Sequence, residues 1–163
     1  MTDNPIVVNA GPLIALSVSG HLSLLERLYF HVLVPGAVMR EVTESGAGRP
    51  GAREVAGALF LERVELDAPV DPLLAGELGA GEAEVIALAV VRKASLVLVD
   101  ERRARRVAEQ AYGLRVKGTA GILVAAKKQG LLARVRPVIE AMAESGYFLS
   151  ARLVGRACAE ADE

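Results

Sequence analysis

Residues 95–108 read SLVLVDERRARRVA. Four consecutive apolar residues, two of them β-branched, predict a short buried strand of the parallel kind from Ser95 to Val99. The strand stops at Asp100. From Glu101 to Tyr112 the apolar positions switch to helical spacing, with Ala104, Val107, Ala108 and Ala111 on one side. A strand that ends on a carboxylate and turns at once into a helix is the repeating unit of a parallel α/β sheet. In such sheets ligands gather at the carboxyl ends of the strands.

The same pattern opens the chain. Ile6 to Asn9 is an apolar run ending in a polar residue, followed by Ala-Gly-Pro and a helix from Pro12 to Val18. Further elements follow in alternation: a helix from His21 to Tyr29, a strand from His31 to Val34, and a helix from Pro35 to about Glu44. A short helix near Ala52 to Ala58 precedes an edge strand from Phe60 to Leu66, which alternates apolar and charged residues. Gly79 to Lys93 is the longest clear helix. After a short strand at Arg115–Val116 come helices over Thr119–Gln129, Ala133–Ser145 and Ser150–Glu160. No repeat or linker divides the chain, so one domain over residues 1–163 is expected.

Composition agrees. The 163 residues are 52% apolar and 24% charged, which suits a globular fold, and with 4% aromatics the core must be Ala, Val and Leu. The lone Cys158 excludes an internal disulfide and a cysteine zinc site, and fits a reducing cytosol. MTDNPIVVNAGPLIAL has no basic stretch before its apolar run, unlike a secretory leader. The net charge of −1 hides a separation: −7 over residues 1–91 and +6 over residues 92–163. An acidic site beside a basic, polyanion-facing surface is one reading, and unlike solvated helix faces are the other.

Asp100 suits two roles, an N-cap for the helix beginning at Glu101 and a ligand at a strand end. Glu82 shares a helix face with Val85, Ile86 and Ala89, so it ends a buried stripe where a lone carboxylate is costly unless paired or metal-bound. As a first-turn acid it also complements the helix dipole. Glu84 faces elsewhere and is expected in solvent. Glu41 lies beside Val42 near the apolar side of its helix, although alone it reads as surface charge. Acids converging on one cleft suit a hard dication, Mg²⁺ or Mn²⁺, able to activate water against a phosphodiester. No nucleophile–histidine pair or P-loop competes with this, and His21 and His31 read as structural.

Five blocks, VVNAGPLIAL, VLVPGAVMREV, GAGEAEVIALA, LVLVDERRARRVA and VKGTAGILVAAKKQGLL, resemble in order those of PIN-domain proteins. They look closest to a subgroup of PIN-containing nucleic-acid-binding proteins. The resemblance covers nearly the whole chain and implies a three-layer α/β/α sandwich with a short, mainly parallel sheet. It also implies an acid cluster for Mg²⁺ or Mn²⁺ at Asn9, Glu41, Glu82 and Asp100, with Glu101 as an auxiliary ligand. Glu41, Glu82 and Asp100 would carry catalysis. Asn9 departs from the aspartate usual in the family, which implies weaker metal binding. Many members are endoribonuclease toxins of toxin–antitoxin pairs, and many are homodimers, so RNA, an antitoxin protein and a second copy are the implied partners. Arg102, Arg103, Arg105, Arg106, Lys117, Lys127 and Lys128 are positioned to contact RNA phosphates, or else form a solvated face. A binding module with little catalysis, and a phosphatase of small nucleotides, are the competing functions.

Overall fold

A computed structural model describes residues 4–163; the expected domain begins at residue 1, and residues 1–3 lie outside the described part. The five strands are β1 (Ile6–Val8), β2 (Val32–Pro35), β3 (Leu61–Val64), β4 (Leu96–Leu98) and β5 (Val116–Lys117). They form one sheet in the order β3-β2-β1-β4-β5, and every pairing is parallel. β1, β2 and β4 are buried along their whole length, as apolar runs covered on both faces must be. β3 lies on the edge and is shorter than the expected Phe60–Leu66; Leu61 is buried, Glu62 and Arg63 are both exposed and Val64 is half-buried, so the expected alternation is not kept.

Among the described residues ten α-helices cover the sheet in a three-layer α/β/α arrangement. Helices α1 (Ala10–Val18), α4 (Ala52–Gly57), α8 (Thr119–Lys128), α9 (Arg136–Glu144) and α10 (Ala151–Glu160) form one contiguous set. Helices α3 (Gly36–Met39), α5 (Pro72–Glu77), α6 (Ala80–Val91) and α7 (Arg102–Tyr112) form another, while α2 (Ser23–Leu28) precedes β2. The core between them holds Val7, Leu13, Leu33, Ile86, Leu98 and Leu123, all essentially inaccessible. Each such side chain contributes roughly 1.5–3 kcal/mol by leaving water. No helix among the described residues is long and apolar enough to cross a membrane.

Three other local features depart from the sequence pattern. The expected helix from Pro35 to Glu44 is α-helical only as far as Met39 and continues as a π-helical turn, Arg40–Ser45. Val38 and Val42 are both buried and four apart, a spacing that cannot reveal the wider turn. α5 was not anticipated, although its start carries a capping signal: Asp71 accepts from the Leu73 N–H at 2.8 Å and Pro72 occupies the first turn. In α7, Ala104 and Ala108 are buried as expected but Ala111 is exposed. The helix ends one residue later at a left-handed Gly113, so its last turn no longer faces the sheet.

Candidate functional site

The strand order reverses between β1 and β4, which defines the crevice where parallel sheets hold ligands. Val8 is in register with Leu98, and the Asn9 N–H donates to the Leu98 carbonyl at 2.9 Å. Asn9 and Asp100 therefore leave adjoining strands at the same edge.

Asn9 is only 7% exposed and stands at the N-cap of α1, yet its side chain caps nothing. Its Oδ1 lies 3.8 Å from where a Cβ on Gly81 would stand, and Glu41 Oε2 lies 3.2 Å from the same point. Gly81 thus keeps open the space shared by the end of β1, the π-helical turn and the first turn of α6. A Cβ there would crowd the Glu41 oxygen and come into contact with that of Asn9.

Glu82, next in the chain, has its carboxyl pushed up to about 7. Burial is the largest cause, followed by a hydrogen bond and charge repulsion from the Glu101 carboxyl; the Gly79 backbone N–H opposes, and the charge of Glu41 adds a smaller push. Glu82 is thus a carboxyl whose charged form its burial and its acidic neighbours disfavour. Glu101, expected as an auxiliary group, is the residue that presses most on the Glu82 carboxyl.

Asp100 faces another set. Its Oδ1 accepts from the Thr119 N–H at 2.7 Å, and its Oδ2 accepts from the Thr119 hydroxyl at 2.6 Å and from the Tyr147 hydroxyl. Asp100 therefore caps α8 rather than α7, whose N-cap is Glu101. Burial and the Asp100 carboxylate together push the Tyr147 hydroxyl well above the usual tyrosine range, so it remains a proton donor. Two glycines make room for Asp100. A Cβ on Gly118 would come within 2.9 Å of Oδ1, and one on Gly11 within 3.3 Å of Oδ2. Sequence reasoning missed Thr119 and Tyr147. The Gly-Thr helix start was the available signal for the first, and nothing local marks a tyrosine 47 positions away from its partner.

Glu84 is not the solvated side chain expected. It accepts from the Ala37 N–H at 3.2 Å in the first turn of α3 and sits 3.9 Å from Arg40. Lys127 is likewise engaged, donating to the Ala161 carbonyl at 2.5 Å and pairing with Glu163 at 3.0 Å, which takes it out of the expected phosphate-binding set. Lys117 is half-buried, and desolvation first, then Arg115 and Lys128, lower its pKa. The two histidines serve the fold: His21 Nδ1 lies 2.6 Å from the Ser19 carbonyl, and His31 packs edge-on against Phe30.

Among the described residues no three His, Cys, Asp or Glu side chains stand as a ready ligand shell. The donor chemistry nevertheless fits a hard dication. Asn9 offers an uncapped amide oxygen, Glu101 and Glu41 press on the charge of Glu82, and Asp100 is oriented by Thr119 and Tyr147. The profile of a family described as PIN domain matches residues 5–163, and the chain belongs to that family. PIN domains have a nuclease-type fold, bind nucleic acid and typically use divalent metals. A search among curated proteins found no match.

Proposed function

We propose that this chain is a Mg²⁺- or Mn²⁺-dependent endoribonuclease of PIN type, acting as the toxin of a toxin–antitoxin pair. The observation that carries the reading is the grouping of Glu41 and the uncapped Asn9 around Gly81, with Glu82 next in the chain and its carboxyl pushed up by burial and by Glu101, at the topological switch point. A cluster of carboxylates in that position is unfavourable by itself and becomes favourable once a cation is bound. Asn9, Glu41, Glu82 and Asp100 would hold the ion, with Glu101 assisting. When bound, it supplies Lewis acidity, which activates water and stabilises the leaving oxygen of a phosphodiester.

The chain's own residues do the rest. Thr119 and Tyr147 fix the orientation of Asp100 by three hydrogen bonds. The arginines of α7 attract and position the phosphate backbone. The role as a toxin, with an antitoxin protein and a homodimer, follows the family resemblance. The amide at Asn9 favours a second reading, a binding module with little catalysis, because a neutral oxygen replaces one carboxylate.

Calorimetric titration of Mn²⁺ into the wild type and Asp100→Asn, beside cleavage of a labelled RNA and of a nucleoside monophosphate, tests these readings. We expect weak, metal-dependent RNA cleavage, no attack on the monophosphate, and loss of binding in the variant. Equal Mn²⁺ binding by both proteins would remove Asp100 from the site. RNA binding without cleavage at any Mn²⁺ concentration would leave the second reading.

A further inference from the structure

The basic residues anticipated from sequence lie on α7, β5 and α8. The structure adds a second wall. α10 packs on α8, and between α10 and α7 runs a cleft of about 570 Å³ that has Asp100 in its lining. Arg102, Arg105 and Arg106 line it from α7, and Arg152 and Arg156, one turn apart, line it from α10. The base of the cleft is made of Gly118, Ala120 and Gly121. Gly121 is required there, because a Cβ would stand 2.6 Å from the stem of Lys117.

The state of these five guanidinium groups decides what the cleft is for. Arg40, Arg63 and Arg134 each find a carboxylate within 4 Å, whereas none of the five makes a salt bridge among the described residues. Glu109 and Glu160 also line the cleft yet stand outside pairing distance. Five like charges around one concave surface raise its potential and gather anions. Arg105 Nη1 and Asp100 Oδ1 lie 3.0 and 2.9 Å from the same point, the place of a Cβ on Gly118, so the basic cleft opens directly onto the carboxylate. The rest of the lining mixes polar Gln110, Lys117 and Ser150 with aliphatic Val124, Leu149 and Leu153, and holds no aromatic ring on which a base could stack. A repeating anion is therefore the matching ligand, gripped through its backbone.

We infer that α10 is the far wall of a substrate channel, in which Arg152 and Arg156 hold backbone phosphates of a nucleic-acid strand opposite Arg105 and Arg106 and lead the strand to Asp100. That the strand is a substrate rests on the nuclease reading; that it binds here does not.

The test is fluorescence anisotropy of a short single-stranded RNA across a range of salt concentrations in EDTA, where no cleavage occurs. Arg152→Gln/Arg156→Gln should bind about tenfold more weakly at moderate salt, with a log–log salt slope shallower by roughly 1.4, the value for two lost phosphate contacts on a single strand. Arg152→Lys/Arg156→Lys should restore the slope, since charge and not a fork geometry holds the backbone. Arg27→Gln/Arg92→Gln removes the same charge from the amino edge of the sheet and should leave the slope unchanged. An unchanged slope in the α10 glutamine variant, or an equal loss in the Arg27/Arg92 control, would overturn the channel. Mn²⁺-dependent cleavage by the wild type is scored separately, so the nuclease reading can stand if the channel falls, and the reverse.

Discussion

Two carboxylates, Glu82 and Glu163, occupy opposite extremes of the same chemistry. Glu163 is almost enclosed, with 5% of its side chain exposed, and is surrounded by donors: the Val135 N–H at 2.6 Å, the Arg136 N–H at 3.2 Å and the Lys127 ammonium at 3.0 Å. Chiefly the Val135 N–H, and then Lys127 and Arg136, hold it down at about 2. Glu82 is half-buried and is surrounded by acids, which with burial lift it to about 7. Burial alone does not separate them; the sign of the neighbours does. A carboxylate met by donors fastens the C-terminal helices together, and one met by carboxylates is disfavoured in its charged form.

The comparison breaks most visibly at Glu82. Glu82→Gln should lower Mn²⁺-dependent RNA cleavage by at least about a hundredfold, beyond what losing a partner outside the ligand shell costs. The same change should raise the melting temperature in EDTA, because a repulsion disappears. A fall in both would make Glu82 an ordinary stabilising residue.

Asn9→Asp sharpens it. The added charge should tighten Mn²⁺ binding by about tenfold, typical of a group coupled directly to a metal. Without metal it should lower the melting temperature by about 2–4 °C, the shift for 1 kcal/mol in a domain of this size. If EDTA and Mn²⁺ melts move alike, Asn9 is not beside a cation.

Glu163→Gln has no metal signature. It should lower the melting temperature equally in EDTA and Mn²⁺. Because its folded pKa is depressed, its stabilisation is present above the ordinary value of 4.5 and fades as pH falls towards about 2. A metal-dependent difference in the melts of this variant would join the two regions that the comparison separates.

The smallest effect is the pH slope from Glu82. Its raised pKa means that the folded apo-protein binds the proton more tightly than the unfolded chain. Stability should decline as pH rises from 4.5 to about 7, and Glu82→Gln should flatten that slope. Partial exposure keeps the change modest. A rising slope over that interval would show donors around Glu82 instead of acids.

The parts of the site that were legible in sequence are those fixed by local pattern. Asn9 and Asp100 each end an apolar run, and parallel pairing then brings the ends of β1 and β4 side by side. Glu82 was legible because an acid closing a buried stripe is anomalous within a single helix. What stayed hidden depends on distant segments meeting. Tyr147 reaches Asp100 from the loop before α10, Glu84 leaves the solvent to satisfy α3, and Lys127 turns from the basic face to Glu163. Arg152 and Arg156 gained meaning only when α10 was seen facing α7 across the cleft. A single helix shows which face is charged, but not what that face confronts.

The π-helical turn at Arg40–Ser45 makes this stretch sensitive to residue number as well as residue type. Such turns correspond to one residue more than an α-helix needs. Losing a single codon between Met39 and Glu41 would let the backbone close into an ordinary helix, with Val42 and the following residues finding their old places one step along. The position now held by Glu41 would swing by about 100° around the axis, the rotation of one residue. Insertion and deletion, more than substitution, are therefore the changes by which a lineage could switch this edge of the molecule on or off while inheriting the same fold.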